Sequence, residues 1–169
     1  MKRIFIADDH VLIREGIKAA LVGKDNYTVT GEASDGNACI DLLKKEPVDI
    51  ILLDIDMPGK NGVKVGQWIK SMQLNIKIIF ITSHVDFFSF YQAWQLNPSG
   101  FLFKENALEE LFTCLQQVEH GGKYYSQETE AYLKENEQLV KSFEAIYEKL
   151  NALSAREKQI LLYIADSKT

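Results

Sequence analysis

Four polar stations interrupt the first two thirds of the chain, each directly after a short apolar run. Asp8-Asp9-His10 follows residues 2–7, Asp54-Ile55-Asp56 follows 48–53, Thr82-Ser83 closes 76–82, and Lys104 follows 100–103. Runs of this kind, rich in Ile, Val and Phe and bounded by turn residues, read as strands. One carboxylate after one strand is ordinary surface chemistry. Three carboxylates, a hydroxyl and an ammonium at one sheet edge are a set. Acids packed together raise each other's pKa unless a cation joins them. Mg2+ suits such a site, since it takes one or two carboxylates and keeps positions for water and phosphate. A lysine and a hydroxyl can then hold the other phosphate oxygens, which is what phosphoryl transfer needs.

The elements that must position this set alternate regularly. Residues 10–22 carry Ile13, Ile17, Ala20 and Leu21 on a helical stripe. Residues 27–33 read as a weaker strand, and Asp35-Gly36 turns into a helix over 37–45 that Pro47 ends. The continuous apolar run 48–53 has the character of a central parallel strand covered on both faces. Further helices are predicted over 62–71, 86–96 and 108–120, with Asn97-Pro98 closing the second and Gly121-Gly122 the third. Strand-helix alternation implies βαβ units and a parallel sheet. The predicted fold is α/β, a flavodoxin-like doubly wound five-stranded parallel sheet followed by a helical linker. Ligands of such sheets bind beyond the carboxyl ends of the strands, where strand order reverses.

Asp8-Asp9-His10, Asp54-Ile55-Asp56-Met57-Pro58-Gly59 with Gly62, Thr82-Ser83, and Gly100-Phe101-Leu102-Phe103-Lys104 together closely resemble the receiver domain of two-component response regulators. Leu12-Ile13-Arg14 and Gly121-Gly122-Lys123-Tyr124-Tyr125 resemble the NarL/FixJ branch, whose output is a LuxR-type helix-turn-helix. The resemblance implies that Asp54 is the phosphoacceptor, taking its phosphoryl group from a sensor histidine kinase. It implies Mg2+ held by Asp9, Asp54 and the backbone carbonyl of Asp56, with Asp8 acting through water. It further implies that Thr82 and Lys104 bind the phosphoryl oxygens, and that Phe101 changes rotamer when Thr82 moves. Asp56 and His84 occupy positions that influence phosphoryl lifetime in the family. Two departures stand out: Glu105 replaces the proline common after the lysine, and Asn97-Pro98 stands where Gly-Ala is usual. Asn tolerates the left-handed conformation almost as glycine does, so the helix stop is expected to survive.

Two other readings use the same letters. A pseudo-receiver would act only as a protein-interaction module, against which the intact set Asp9, Asp54, Thr82 and Lys104 argues. A haloacid-dehalogenase-type phosphatase shares Asp-x-Asp, but its further acidic pair follows the lysine, whereas here the pair opens the chain.

Phe87, Phe90, Tyr91 and Trp94 share one helical stripe, whose default is to face the sheet. Phe88 lies off it, and an exposed Phe88 would mark an interaction face. Homodimerisation through the fourth or fifth helix, strengthened by phosphorylation, is expected. Tyr132, Asn136, Leu139, Phe143, Ile146, Leu150 and Leu153 recur at heptad spacing, with Asn able to set register. The alternative is a linker helix folded onto its own domain. Ser154-Ala155-Arg156-Glu157 is a capping box. The helix it opens, with Ile160, Leu161, Leu162 and Ile164, resembles the first helix of a LuxR-type domain. The expected organisation is a receiver over 1–125, a helical linker over 126–152, and over 153–169 the first helix of a truncated output domain. The full-length parent would bind DNA and this fragment would not.

Composition sets the outer limits. The 169 residues are 46% hydrophobic and carry a net charge of −5, which excludes a disordered chain and a strongly basic nucleic-acid footprint. The longest apolar runs fall far short of the ~18 residues that span a bilayer. Cys39 and Cys114 form no disulfide framework or metal-ligand pattern. A cytoplasmic protein is expected, with no membrane association.

Overall fold

Side chains alternate across a strand, and here the alternation divides the sheet between two cores. Ile4 and Ile6, Ile50 and Leu52, Ile79 and Ile81, and Leu102 form one buried cluster with Ile17, Leu21, Leu111, Leu115 and Val118. The intervening Phe5, Ala7, Ile51, Leu53, Phe80 and Phe101 are just as buried. Phe80 lies against Gly66, and the Phe101 ring stands 4.8 Å from that of Phe90. Burying each such side chain contributes roughly 2 kcal/mol, so neither face can turn to water.

The computed structural model describes residues 1–83, 86–154 and 156–157. Its strands are β1 (Lys2–Ala7), β2 (Tyr27–Ala33), β3 (Ile50–Leu53), β4 (Lys77–Thr82), β5 (Gly100–Phe103) and β6 (Tyr124–Tyr125). Its helices are α1 (Val11–Leu21), α2 (Gly36–Leu43), α3 (Gly62–Ser71), α4 (Phe87–Gln95), α5 (Ala107–Glu119), α6 (Gln127–Glu135) and α7 (Glu137–Ala152). The strands form one sheet in the order β2-β1-β3-β4-β5-β6, every neighbouring pair parallel. The five expected strands thus take the flavodoxin-like order, reversing between β1 and β3. The sixth, Tyr124–Tyr125, pairs with Gly100 and Phe101; two residues are too few for alternation to reveal.

Helix starts follow local chemistry. Asp35 Oδ1 accepts from the amides of Asn37 and Ala38 at 2.9 Å each, Asn61 Oδ1 from Lys64 at 3.0 Å, and Asp86 Oδ1 from Ser89 at 3.1 Å. Asn97 does adopt the left-handed conformation, φ 52°, after α4. On α4, Phe90 and Tyr91 are buried, while Phe88 is 50% exposed.

The chain divides into two compact units, Met1–Glu130 and Ala131–Thr169. Within the first, the start of α6 is tied down by buried polar groups. Ser126 N and Thr129 Oγ1 both donate to the Phe101 carbonyl, at 3.0 and 3.1 Å. In the second, the heptad seam is interrupted at Asn136, between α6 and α7. Its backbone N and its side-chain Nδ2 both donate to the Tyr132 carbonyl, at 3.1 and 2.8 Å, a local competition typical of Asn. Leu139 and Ile146 on that seam are about half exposed, at 47% and 50%. The capping box is formed: Ser154 Oγ accepts from Glu157 N at 3.4 Å and Glu157 Oε2 from Ser154 N at 2.8 Å. His84, the Leu150 side chain, and Ile160, Leu161, Leu162 and Ile164 lie outside the described residues.

Candidate functional site

Register delivers the acids side by side. Ala7 pairs with Leu53, and Asp54 N donates to the Ala7 carbonyl at 2.8 Å, so Asp8 and Asp54 leave adjacent strands at the point of order reversal. Thr82 pairs with Phe103, and Lys104 N donates to the Thr82 carbonyl at 2.8 Å. The loop after Asp54 returns tightly into α3. A Cβ on Gly62 would stand 1.9 Å from the Asp54 carbonyl oxygen, so no larger residue fits beneath that backbone.

Lys104 joins the two buried acids. Its Nζ lies 2.8 Å from Asp54 Oδ2, and 3.0 and 2.9 Å from Asp8 Oδ1 and Oδ2. It donates its hydrogen bond to Oδ1, leaving Asp8 Oδ2 in ion-pair contact only. The side chains of Lys104, Asp8 and Asp54 are 7%, 2% and 2% exposed. Burial raises the Asp54 pKa to about 6, with the Lys104 hydrogen bond and charge pulling against it and the Asp8 charge adding to the rise. Burial also opposes the Lys104 ammonium, but its hydrogen bonds to Asp54 and Asp8 prevail and its pKa is raised. Asp56 N approaches Asp54 Oδ1 at 3.4 Å, and Arg14 Nη1 donates to the Asp8 carbonyl at 2.8 Å.

Of the sequence-predicted residues, Asp8, Asp9, Asp54 and Lys104 come together. Ligand atoms of Asp8, Asp9, His10 and Asp54 all lie within 4.8 Å of one another. Thr82 ends β4 at this edge, and its Oγ1 is buried with no hydrogen-bond partner among the described residues. Three oxygen-donor acids, a buried orphan hydroxyl and the Lys104 ammonium are a set that fits Mg2+ and phosphate. Phe101 is fully buried on β5, ringed by Phe80, Phe90 and Phe103 at centroid distances of 5.6, 4.8 and 6.2 Å. His10 follows the acidic pair directly, in the loop after β1. Its ring is 61% exposed, yet Nδ1 sits 2.6 Å from Asp9 Oδ1 and 3.2 Å from Asp8 Oδ1. Its place directly after the acidic pair was the available signal.

Residues 4–116 match the model of the response regulator receiver domain. The transcriptional regulatory protein DesR of Bacillus subtilis is 30% identical over 168 residues, covering 99% of this chain and 77% of that protein. The probable transcriptional regulatory protein NarL of Mycobacterium tuberculosis is 35% identical over 119 residues, covering 70% of this chain and 55% of that protein. Among solved structures, two RcsB dimers bound to two parallel DNAs are similar at a TM-score of 0.73 and 25% identity. That likeness covers 98% of this chain and 77% of the RcsB chain. With its sheet order, its acidic edge and these relatives together, the chain belongs to the response regulator family, in the NarL/LuxR group, and carries that family's receiver domain.

Proposed function

We propose that Asp54 is the phosphoacceptor of a signalling switch, loaded by a sensor histidine kinase. The observation that carries this is the buried Asp54 carboxylate held 2.8 Å from Lys104 beside two further acids. A carboxylate oxygen of Asp54 attacks phosphorus. The new O–P bond forms as the N–P bond of the phosphohistidine breaks, and the imidazole leaves with the electron pair. With a pKa near 6, Asp54 is mostly ionised at neutral pH and can act as the nucleophile. Asp8, Asp9, Asp54 and the Asp56 carbonyl would hold Mg2+, which neutralises charge on the transferring group. Lys104 and the Thr82 hydroxyl take the phosphoryl oxygens, and the domain thereby assists its own phosphorylation and dephosphorylation without being a metabolic enzyme.

Movement of Thr82 toward the phosphoryl group then repositions Phe101. The output is transcriptional regulation through a second copy of the chain and, in a full-length regulator, DNA. The name of DesR and the RcsB–DNA assembly support that reading for the group. Among the described residues no helix is long and apolar enough to cross a membrane, and we place the switch in the cytoplasm with its kinase's catalytic part.

Intact mass after incubation with acetyl phosphate tests the proposal. One added phosphoryl group is expected with Mg2+, and none without it or in Asp54→Asn. No gain with Mg2+ favours a pseudo-receiver, and sustained hydrolysis of a small phosphomonoester favours a phosphatase.

A further inference from the structure

Two buried polar side chains sit where β6 ends and α6 begins. Ser126 and Thr129 are 1% and 0% exposed. Burying a hydroxyl costs free energy unless it is hydrogen-bonded, and here the bonds converge on one atom. Ser126 N and Thr129 Oγ1 donate to the Phe101 carbonyl at 3.0 and 3.1 Å. Ser126 Oγ lies 3.1 Å from Thr129 Oγ1 and accepts from Thr129 N at 3.2 Å, so Ser126 caps the helix. A carbonyl offers two lone pairs, and this one spends both on the first turn of α6.

Two further contacts tie the same turn to the groups around Asp54. Asn106 Nδ2 donates to Glu128 Oε1, and Asn106 stands two residues past Lys104, directly before α5. From the other side, an aromatic chain runs from Phe101 to Phe90, Trp94 and Tyr125, at successive centroid distances of 4.8, 6.2 and 4.7 Å. Tyr125 is the residue before Ser126. The Phe101 ring, the Phe101 carbonyl and the loop after Lys104 therefore all bear on residues 125–129.

These contacts are complete in the arrangement where Lys104 pairs with the Asp8 and Asp54 carboxylates. An acyl phosphate on Asp54 replaces one of those carboxylates and draws Lys104 and Thr82 to its own oxygens. Groups that move with them then leave their places against the turn. We propose that the first turn of α6 is a latch, closed on the unphosphorylated receiver and loosened by phosphorylation, so that the linker helix itself reads the state of Asp54. The inference rests on the reading of Asp54 as the phosphoacceptor and of Phe101 as the residue that moves with Thr82. Such coupling is reciprocal: whatever loosens the latch from the α6 side favours the phosphorylated arrangement.

The test uses the full chain with Mg2+ and beryllofluoride, a phosphoryl mimic, read by amide hydrogen exchange and by titration. The Ser126 and Thr129 amides should exchange about tenfold or more faster once the mimic is bound, and should not respond in Asp54→Asn. Thr129→Val keeps the side-chain shape and removes the donor, while Glu128→Ala removes the acceptor for Asn106. Both should bind the mimic about threefold or more tighter than wild type, a gain that a purely structural role does not give. Glu128 is half-buried, so its variant reads the coupling even where Thr129→Val does not fold. Bound mimic with unchanged exchange at Ser126 and Thr129 overturns the latch alone, as does mimic binding unchanged or weakened in the variants that fold. A chain in which Asp54 takes up neither the mimic nor a phosphoryl group overturns the phosphoacceptor reading and the latch with it.

Discussion

Two ion pairs stand at opposite ends of β1 and β3, and their carboxylates are shifted in opposite directions. At the amino end, Arg3 holds Asp49, with Nη2 2.7 Å from Oδ1 and Nε 3.0 Å from Oδ2. Those side chains are 40% and 32% exposed. The hydrogen bond from Arg3 dominates, and the Asp49 pKa falls to about 2. At the carboxyl end, Lys104 holds Asp54 just as closely, but both side chains are almost sealed from water. There burial dominates, and the Asp54 pKa rises to about 6. Contact distance does not separate the two sites. Water does, because it screens the first pair and is withheld from the second. The first pair fastens a strand end, and the second keeps a carboxylate in a costly, desolvated state.

The largest effect should come from removing the buried cation. Lys104→Met leaves Asp8 and Asp54 facing each other with their shared partner gone, and should destabilise the protein by about 3 kcal/mol or more in denaturant titrations at pH 8. A loss as small as that of a surface pair would erase the distinction drawn above. The second effect has a pH signature. The folded pKa of Asp54, about 6, lies above its ordinary 3.8, so the stability contributed by the protonated form is complete below about pH 4 and lost as pH rises through 6. Asp54→Asn keeps a neutral group, and should be more stable than wild type by roughly 2–3 kcal/mol at pH 8, shrinking toward zero by pH 4. A pH-independent difference would mean that burial does not govern this carboxylate. The smallest effect belongs to the exposed pair. Asp49→Asn should cost at most about 1 kcal/mol, less in 1 M salt, because water already screens the partners. Its sign is reversed: with the folded pKa depressed to about 2, the contribution is present above about pH 4 and lost as pH falls through 2. Wild-type and variant stabilities compared at pH 7 and pH 2 check it.

Much of the site could be read in advance because its parts lie at strand ends. Asp8, Asp54, Thr82 and Lys104 follow apolar runs long enough to declare themselves strands, and a parallel sheet brings such positions to one edge. Asp35, Asn61 and Asp86 cap their helices through local hydrogen bonds, and of the three Asp35 marked its helix in the sequence, as a turn residue. Asn97 announced a stop through its tolerance of positive φ. What stayed hidden depends on partners distant in sequence or on very short segments. Tyr124–Tyr125 become a strand only because the edge of β5 accepts them. Ser126 and Thr129 are polar by type, and their burial against the Phe101 carbonyl follows from that docking. The seam through Asn136 was visible as periodicity, but not the division between α6 and α7 at that residue, nor the carbonyl of Tyr132 that its backbone and side chain share.

Periodicity, turn chemistry and the order of the polar stations were therefore enough to determine a doubly wound sheet with Asp8, Asp54, Thr82 and Lys104 at one edge, since each depends on a few neighbouring residues. Tertiary structure decided how that edge behaves. Asp49 and Asp54 are the same residue type, five positions apart in one chain, and each is paired with a cation. Only packing determines that one keeps its water while the other loses it, and that loss sets the charge, pKa and chemistry of Asp54.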